Sequence, residues 1–122
     1  MIKSINHVQV TIPFGGEEEA KRFYGGVLGL KQLIQPESLR ATNSLWFELG
    51  ALQLHLGCED NAHRTNSRAH VAYNVDNIEQ CRRTFEALGV EIYENTQIEG
   101  IKRFDIRDPF GNRLEIMEMT SV

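Results

Sequence analysis

Three histidines and one glutamate are the residues here whose types and spacing support metal chemistry: His7, His55, His70 and Glu115. Neutral imidazole and carboxylate suit Zn, Ni, Mn, Fe or Co, and three or four of them converging with open positions make a catalytic rather than a structural site. Each lies in a stretch that alternates apolar and polar residues, so each falls opposite the aliphatic side of its strand. His7 opposes Val8, Val10 and Ile12; His55 opposes Leu52, Leu54 and Leu56; His70 opposes Val71, Tyr73 and Val75; Glu115 opposes Leu114 and Ile116. The fourth histidine, His63, sits in a polar linker and reads as a solvated loop residue.

The elements that position the four form a repeat. The first strand, Ile5 to Ile12, ends at Pro13-Phe14-Gly15-Gly16. A helix follows, with Glu17-Glu18-Glu19 in its first turn, where the macrodipole favours carboxylates, apolar residues from Ala20 to Leu28 at helical spacing, and Gly29 as its stop. Strands are expected over Leu30 to Gln35, Leu45 to Leu49 and Leu52 to Leu56, with a polar loop from Pro36 to Ser44. The same order returns after the linker. Ala69 to Val75 is a strand, Asp76 with Glu79 forms a capping box for a helix ended by Gly89, and strands follow at Val90 to Tyr93, Arg103 to Arg107 and Arg113 to Met119. Gly29 precedes His55 by the same distance that Gly89 precedes Glu115, which a duplicated module explains. The expected fold class is α+β: two tandem βαβββ modules, about 1–57 and 69–120 of a single domain, forming a cupped eight-stranded mixed sheet with its helices on the convex face.

Between the last two strands lies Arg107-Asp108-Pro109-Phe110-Gly111-Asn112-Arg113. Pro109 presets φ for a turn, Gly111 and Asn112 tolerate positive φ, and the Asp108 side chain can cap the turn, so a hairpin aims Glu115 at the polar face.

Composition narrows the partners. The chain has 122 residues, 41% apolar and 25% charged, the values of an ordinary globular domain. Its net charge of −4 gives no reason to expect nucleic acid or an anionic membrane as partner. No apolar run has transmembrane length and Met1 to His7 lacks a signal-peptide core, so a cytoplasmic protein is expected. Cys58 and Cys81 lack metal spacing and read as reduced thiols.

The paired modules, Asn6-His7-Val8, Ala69-His70-Val71 and the run from Asp108-Pro109 to Leu114-Glu115 resemble the vicinal oxygen chelate superfamily, which includes glyoxalase I, fosfomycin-resistance proteins, bleomycin-resistance proteins and extradiol dioxygenases. The resemblance covers essentially the whole chain. It implies a divalent metal ion held by His7, His70 and Glu115, with His55 in a fourth slot where glyoxalase I-like members carry glutamate. It also implies a small-molecule substrate, and a homodimer with sites at or near the interface. Two departures stand out. The segment Glu99 to Asp105 lacks the serine and tyrosine that fosfomycin-resistance proteins use, and no glutathione-binding set can be placed.

The superfamily's chemistry is chelation of adjacent substrate oxygens on a Lewis-acidic metal. Glu115 would bind the metal and could also move a proton, with Glu48 as a second candidate base. Parity adds Gln9, Trp46, Gln53, Asn74, Arg103, Asp105, Arg113 and Met117 as pocket candidates. Half-core packing reads equally well for Trp46, and a cross-strand ion pair for Arg103 with Asp105. The expected function is a metal-dependent lyase, isomerase or thiol transferase on a small oxygenated metabolite. The alternatives are a non-haem iron dioxygenase and a metal-free sequestration protein of bleomycin-resistance type.

Overall fold

The structure, a computed structural model, describes residues 1–39 and 43–120. It divides between Ala62 and His63 into two compact units, each with one four-stranded mixed sheet. In the first unit the strands are β1 (His7–Ile12), β2 (Gln32–Leu33), β3 (Ser44–Leu49) and β4 (Leu52–Cys58), in the order β1-β4-β3-β2. In the second they are β5 (His70–Asn74), β6 (Tyr93–Glu94), β7 (Ile101–Arg107) and β8 (Arg113–Met119), in the order β5-β8-β7-β6. In both, first and last strands pair in parallel and the rest antiparallel. The residues at the equivalent ends of those parallel pairs are His7 with Gln53 and His70 with Arg113.

Alternation decides which face is core. In the first unit Ile12, Leu45, Phe47, Leu54 and Leu56 are buried, together with Ala20, Phe23 and Tyr24 of the helical segment. The Tyr24 ring lies 6.1 Å from that of Phe47. In the second, Phe104, Ile106, Leu114 and Ile116 meet Ile78 and Phe85 of α2 (Ile78–Ala87), and Phe85 meets Phe104 edge to face at 6.2 Å. Arg82 of α2 spreads over the Phe104 ring at 4.8 Å and pairs with Glu94 of β6, which binds helix to sheet. Burying each such side chain is worth about 1.5–3 kcal/mol, so these aliphatic faces hold the sheets and free the opposite faces for polar groups.

Several local expectations are corrected. The first helix is α-helical only over α1 (Glu17–Ala20) and continues as a wider π-helix over Lys21–Val27, where the Leu28 N–H reaches the Phe23 carbonyl. Gly25 and Gly26 lie in that stretch, and glycine has the lowest helix propensity after proline. The second helix is capped by Asn77, one residue beyond Asp76: its extended backbone lets its side chain accept from the Gln80 N–H, and Glu118 of β8 accepts from the Ile78 N–H. The strand expected over Leu30 to Gln35 shortens to two residues, and the one expected over Val90 to Tyr93 moves to Tyr93–Glu94. The loop expected from Pro36 to Ser44 opens with a 3-10 turn at Glu37–Leu39; residues 40–42 lie outside the described residues. Neither cysteine forms a disulfide, and the Cys58 thiol donates to Glu17 Oε1 at 3.2 Å.

The turn before Glu115 is built as its residues require. Asp108 is 4% exposed; its carboxylate accepts from the Phe110 and Asn112 N–H groups at 3.0 and 2.8 Å and from the Asn112 side-chain amide at 2.8 Å. Gly111 has φ of +97°, and a Cβ there would collide with the Thr65 side chain. A side chain at 111 is thus opposed by backbone strain and by contact alike.

Candidate metal centre

In the second unit the parallel pairing sets Ala72 beside Glu115 and Arg113 beside His70. Alanine leaves the Glu115 carboxylate room to lean along the strand to His70, and Glu115 Oε1 stands 3.2 Å from His70 Nε2. Two donors at about 2.1 Å from one first-row dication, at nearly a right angle, are about 3 Å apart. The pair therefore fits adjacent positions on such an ion.

The other ring nitrogen has its own partner. His70 Nδ1 lies 3.0 Å from the Arg68 carbonyl oxygen. A carbonyl only accepts, so Nδ1 carries a proton, and Nε2 is the nitrogen left for a ligand; it stands 3.2 Å from Oε1 without being aligned to it as in a hydrogen bond. Two such groups held close but out of hydrogen-bond line suit neighbouring positions on one cation. Donation of the remote N–H to a backbone carbonyl is also how metal-bound histidines are oriented.

Glu115 is 6% exposed, and its second oxygen is engaged too: Arg103 Nη1 approaches Oε2 at 3.1 Å, while Arg103 Nε donates to the Thr96 carbonyl at 2.8 Å. Register explains the contact. Asp105 faces Glu115 directly and Arg107 faces Arg113, two like-charge oppositions that would be unfavourable alone. Each acid turns diagonally to an arginine of the other strand, Glu115 to Arg103 and Asp105 to Arg113. The expected Arg103–Asp105 pair is thus replaced by two crossed pairs, because both residues belong to β7 and their partners to β8. Arg113 Nε and Asp105 Oδ2 are 2.9 Å apart but misaligned for a hydrogen bond, so their contact is ionic; Asn95 donates to the other Asp105 oxygen at 3.1 Å.

In the first unit His55 lies between two rings. Trp46, its direct neighbour across β3 and β4, stacks on it at 4.1 Å and 3°; His7 stacks on the other side at 4.1 Å and 16°. His55 Nε2 bonds to Gln53 Oε1 at 2.8 Å and His7 Nδ1 to Asn6 Oδ1 at 2.9 Å. An imidazole lone pair lies in the ring plane, so histidines sharing an ion need planes that meet at the ion. These nearly parallel planes do not meet within about 2 Å, the length of a metal–nitrogen bond. As placed, His7 and His55 do not serve one ion, and Nε2 of His55 is committed to Gln53. Parity put His55 on the correct face but could not give the plane of its ring. Among the described residues no group of three or more His, Cys, Asp or Glu stands together in ligand geometry.

Burial first, and then the proximity of His7, pushes the His55 pKa below 6.5, which favours its neutral form in the fold. The unfolded chain takes up this proton more readily, so the stabilisation is whole above pH 6.5 and is lost as pH falls through the lowered pKa. Thermal melts from pH 7.5 to 5 are expected to show this loss, and His55→Phe, which keeps a flat ring without a proton, to reduce it. An identical acid loss in the variant would assign the sensitivity to other groups.

The remaining candidates are less engaged. Gln9 packs its amide against Gly57, where a Cβ would come within 2.8 Å of it. Glu48 is exposed opposite Gln53; Asn74 is exposed opposite Met117, which is half-buried and faces Arg103. His63 is exposed beside a 3-10 turn, as expected. Sequence reasoning missed an open groove of about 620 Å³ in the second unit, lined by Tyr93, Asp105, Arg107, Phe110 and Gly111 among others. Arg107 shares the parity of Arg103 and Asp105 and was discoverable by the same rule.

This architecture, a pair of βαβββ units with a histidine–glutamate pair on parallel strands, defines the class. The sequence profile of the Glyoxalase/Bleomycin resistance protein/Dioxygenase superfamily matches residues 4–116, and the chain belongs to that superfamily. Among solved structures it is similar to a protein of Bacillus anthracis placed in the glyoxalase family, with 38% identity, 98% of this chain and 97% of that one covered, and a TM-score of 0.91. Lactoylglutathione lyase from Agrobacterium tumefaciens shares the fold at 21% identity, 96% and 94% coverage and TM-score 0.74. A genomically encoded fosfomycin resistance protein of Listeria monocytogenes does so at 15% identity, 97% and 94% coverage and TM-score 0.78. No curated protein matches the chain. No helix among the described residues is long and apolar enough to cross a membrane.

Proposed function

We propose that this chain is a metal-dependent enzyme of the superfamily, a lyase, isomerase or thiol transferase acting on a small oxygenated metabolite. The observation that carries the reading is the opposition of His70 Nε2 and Glu115 Oε1 at 3.2 Å with Nδ1 already bonded to a carbonyl. His70 and Glu115 would hold the divalent ion, one of Zn, Ni, Mn, Fe and Co, with His7 as the third ligand that the resemblance supplies. When bound, the ion supplies Lewis acidity to two adjacent substrate oxygens.

The chain's own groups do the rest. Arg103 orients Glu115, and the crossed pair of Asp105 and Arg113 fixes the neighbouring surface. The polar side of β7 and β8 sets Arg103, Arg107 and Arg113 against Asp105 and Glu115, a positive excess suited to a metabolite bearing an anionic group. The groove admits something small. Trp46, half-buried and backed by His55, carries a flat ring suited to packing against a planar group, and Glu48, exposed on the same strand as Trp46, remains the candidate base.

Elemental analysis of protein purified without added metal tests the reading, together with melting temperature after adding Ni, Mn, Zn or Fe. About one equivalent of metal, or a clear stabilisation by one of these ions, is expected. No metal and no shift would sink it and leave the sequestration reading, for which the Trp46 stack would be the platform. One observation favours the dioxygenase alternative: His55 Nε2 is bonded to Gln53, and a ligand set of His7, His70 and Glu115 without it would be of the two-histidine, one-carboxylate kind that leaves positions for oxygen. Ferrous iron in the purified protein with oxygen uptake would select that alternative.

A further inference from the structure

Glu115 has its two oxygens facing different partners. Oε1 faces His70 Nε2 at 3.2 Å and Oε2 faces Arg103 Nη1 at 3.1 Å. Arg103 is not a loose surface side chain that happens to reach it. It is 15% exposed, and its Nε is tethered to the Thr96 carbonyl at 2.8 Å, which fixes the guanidinium plane from behind. A planar fork held at one nitrogen presents the next one in a set direction.

Resting on the metal reading above, we propose that Arg103 is a built-in counter-cation that holds Oε2 back from the ion, so that Glu115 binds through Oε1 alone. Two consequences follow. A one-oxygen carboxylate occupies one coordination position where a bidentate one occupies two, which keeps a position open for a second substrate oxygen. A fixed positive charge beside the ligand also opposes the dication, so the wild-type chain binds its metal more weakly than its donor set permits. Arg103 is thus a positioning residue that exchanges metal affinity for open coordination.

The test is a titration of the purified full chain with Mn(II), following free ion by electron paramagnetic resonance, on wild type, Arg103→Met and Arg103→Lys, with Co(II) absorption spectra of the same proteins. A fixed cation one carboxylate away from a dication repels it even in water, so Arg103→Met is expected to tighten Mn(II) binding about tenfold or more. Its Co(II) bands should change in position or intensity as Glu115 becomes bidentate. Arg103→Lys, which keeps the charge, should bind Mn(II) within a few-fold of wild type. Circular dichroism shows that the variants are folded. Equal or weaker Mn(II) binding by folded Arg103→Met, or unaltered Co(II) bands, overturns the inference while leaving the metal reading standing. No binding by wild type or either variant overturns both.

Discussion

Glu115→Gln is expected to lose metal binding by more than about 100-fold, since even residues one step removed from a metal cost 10–100-fold when changed. The exchange keeps the shape and removes the charge. An amide offers one weak oxygen, and its NH2 must face either the His70 nitrogen or the guanidinium of Arg103, which stand 3.2 and 3.1 Å from the present oxygens. Toward His70 the amide can donate to the Nε2 lone pair and satisfy it without an ion, while its oxygen still accepts from Arg103. The variant therefore folds, at a cost of about 1–3 kcal/mol for the weakened contact with a charged partner. Stoichiometry by elemental analysis and a Mn(II) titration separate the effects. Folded Glu115→Gln that retains wild-type metal content would remove Glu115, and with it the proposed site, from the account.

That prediction depends on details of very different legibility in the sequence. Glu115 itself was plain: alternation put it opposite Leu114 and Ile116, and the glycine stops placed it in register with His55. Two-residue periodicity and turn chemistry are local properties, and the aliphatic faces of both sheets obey them. What periodicity cannot supply is the torsion about a side chain. His55 and His70 share parity, yet one is clamped flat between Trp46 and His7 while the other turns its edge to a carboxylate. The difference lies in the neighbours: Trp46 faces His55 across β3 and β4, whereas His70 is paired with Arg113 and the small Ala72, next but one on its own strand, lies beside Glu115. Charges behave the same way. Arg103 and Asp105 were legible as an ion pair on one face, but pairing register, unknown until β7 and β8 align, sends each to a different partner on β8. The helix after Gly16 failed for a third reason, since its apolar spacing fits an α-helix while Gly25-Gly26 lets it widen to meet the sheet.

The turn that aims Glu115 should be the costliest polar element to remove. Asp108→Ala is expected to destabilise the chain by about 2–4 kcal/mol, because three donors that now meet a buried carboxylate would lose their acceptor. The melting temperature should fall by roughly 10 °C for a domain of this size. Asp108→Asn distinguishes the hydrogen bonds from the charge. Its carbonyl can still accept from the Phe110 and Asn112 N–H groups, and its NH2 can meet the Asn112 amide once that amide flips, so a loss of about 1 kcal/mol is expected. A second readout is independent of stability. Tyr73 is a buried phenol whose pKa is raised first by burial and then by the negative charge of Asp108. Both variants delete that charge, so in both the Tyr73 phenolate should appear at lower pH than in wild type when followed by ultraviolet absorbance. The Asp108→Asn variant should show this shift with little loss of melting temperature. If Asp108→Asn proved as destabilising as Asp108→Ala, the ionic character of the acceptor, rather than the number of bonds it receives, would be what holds β7 to β8 and Glu115 in place.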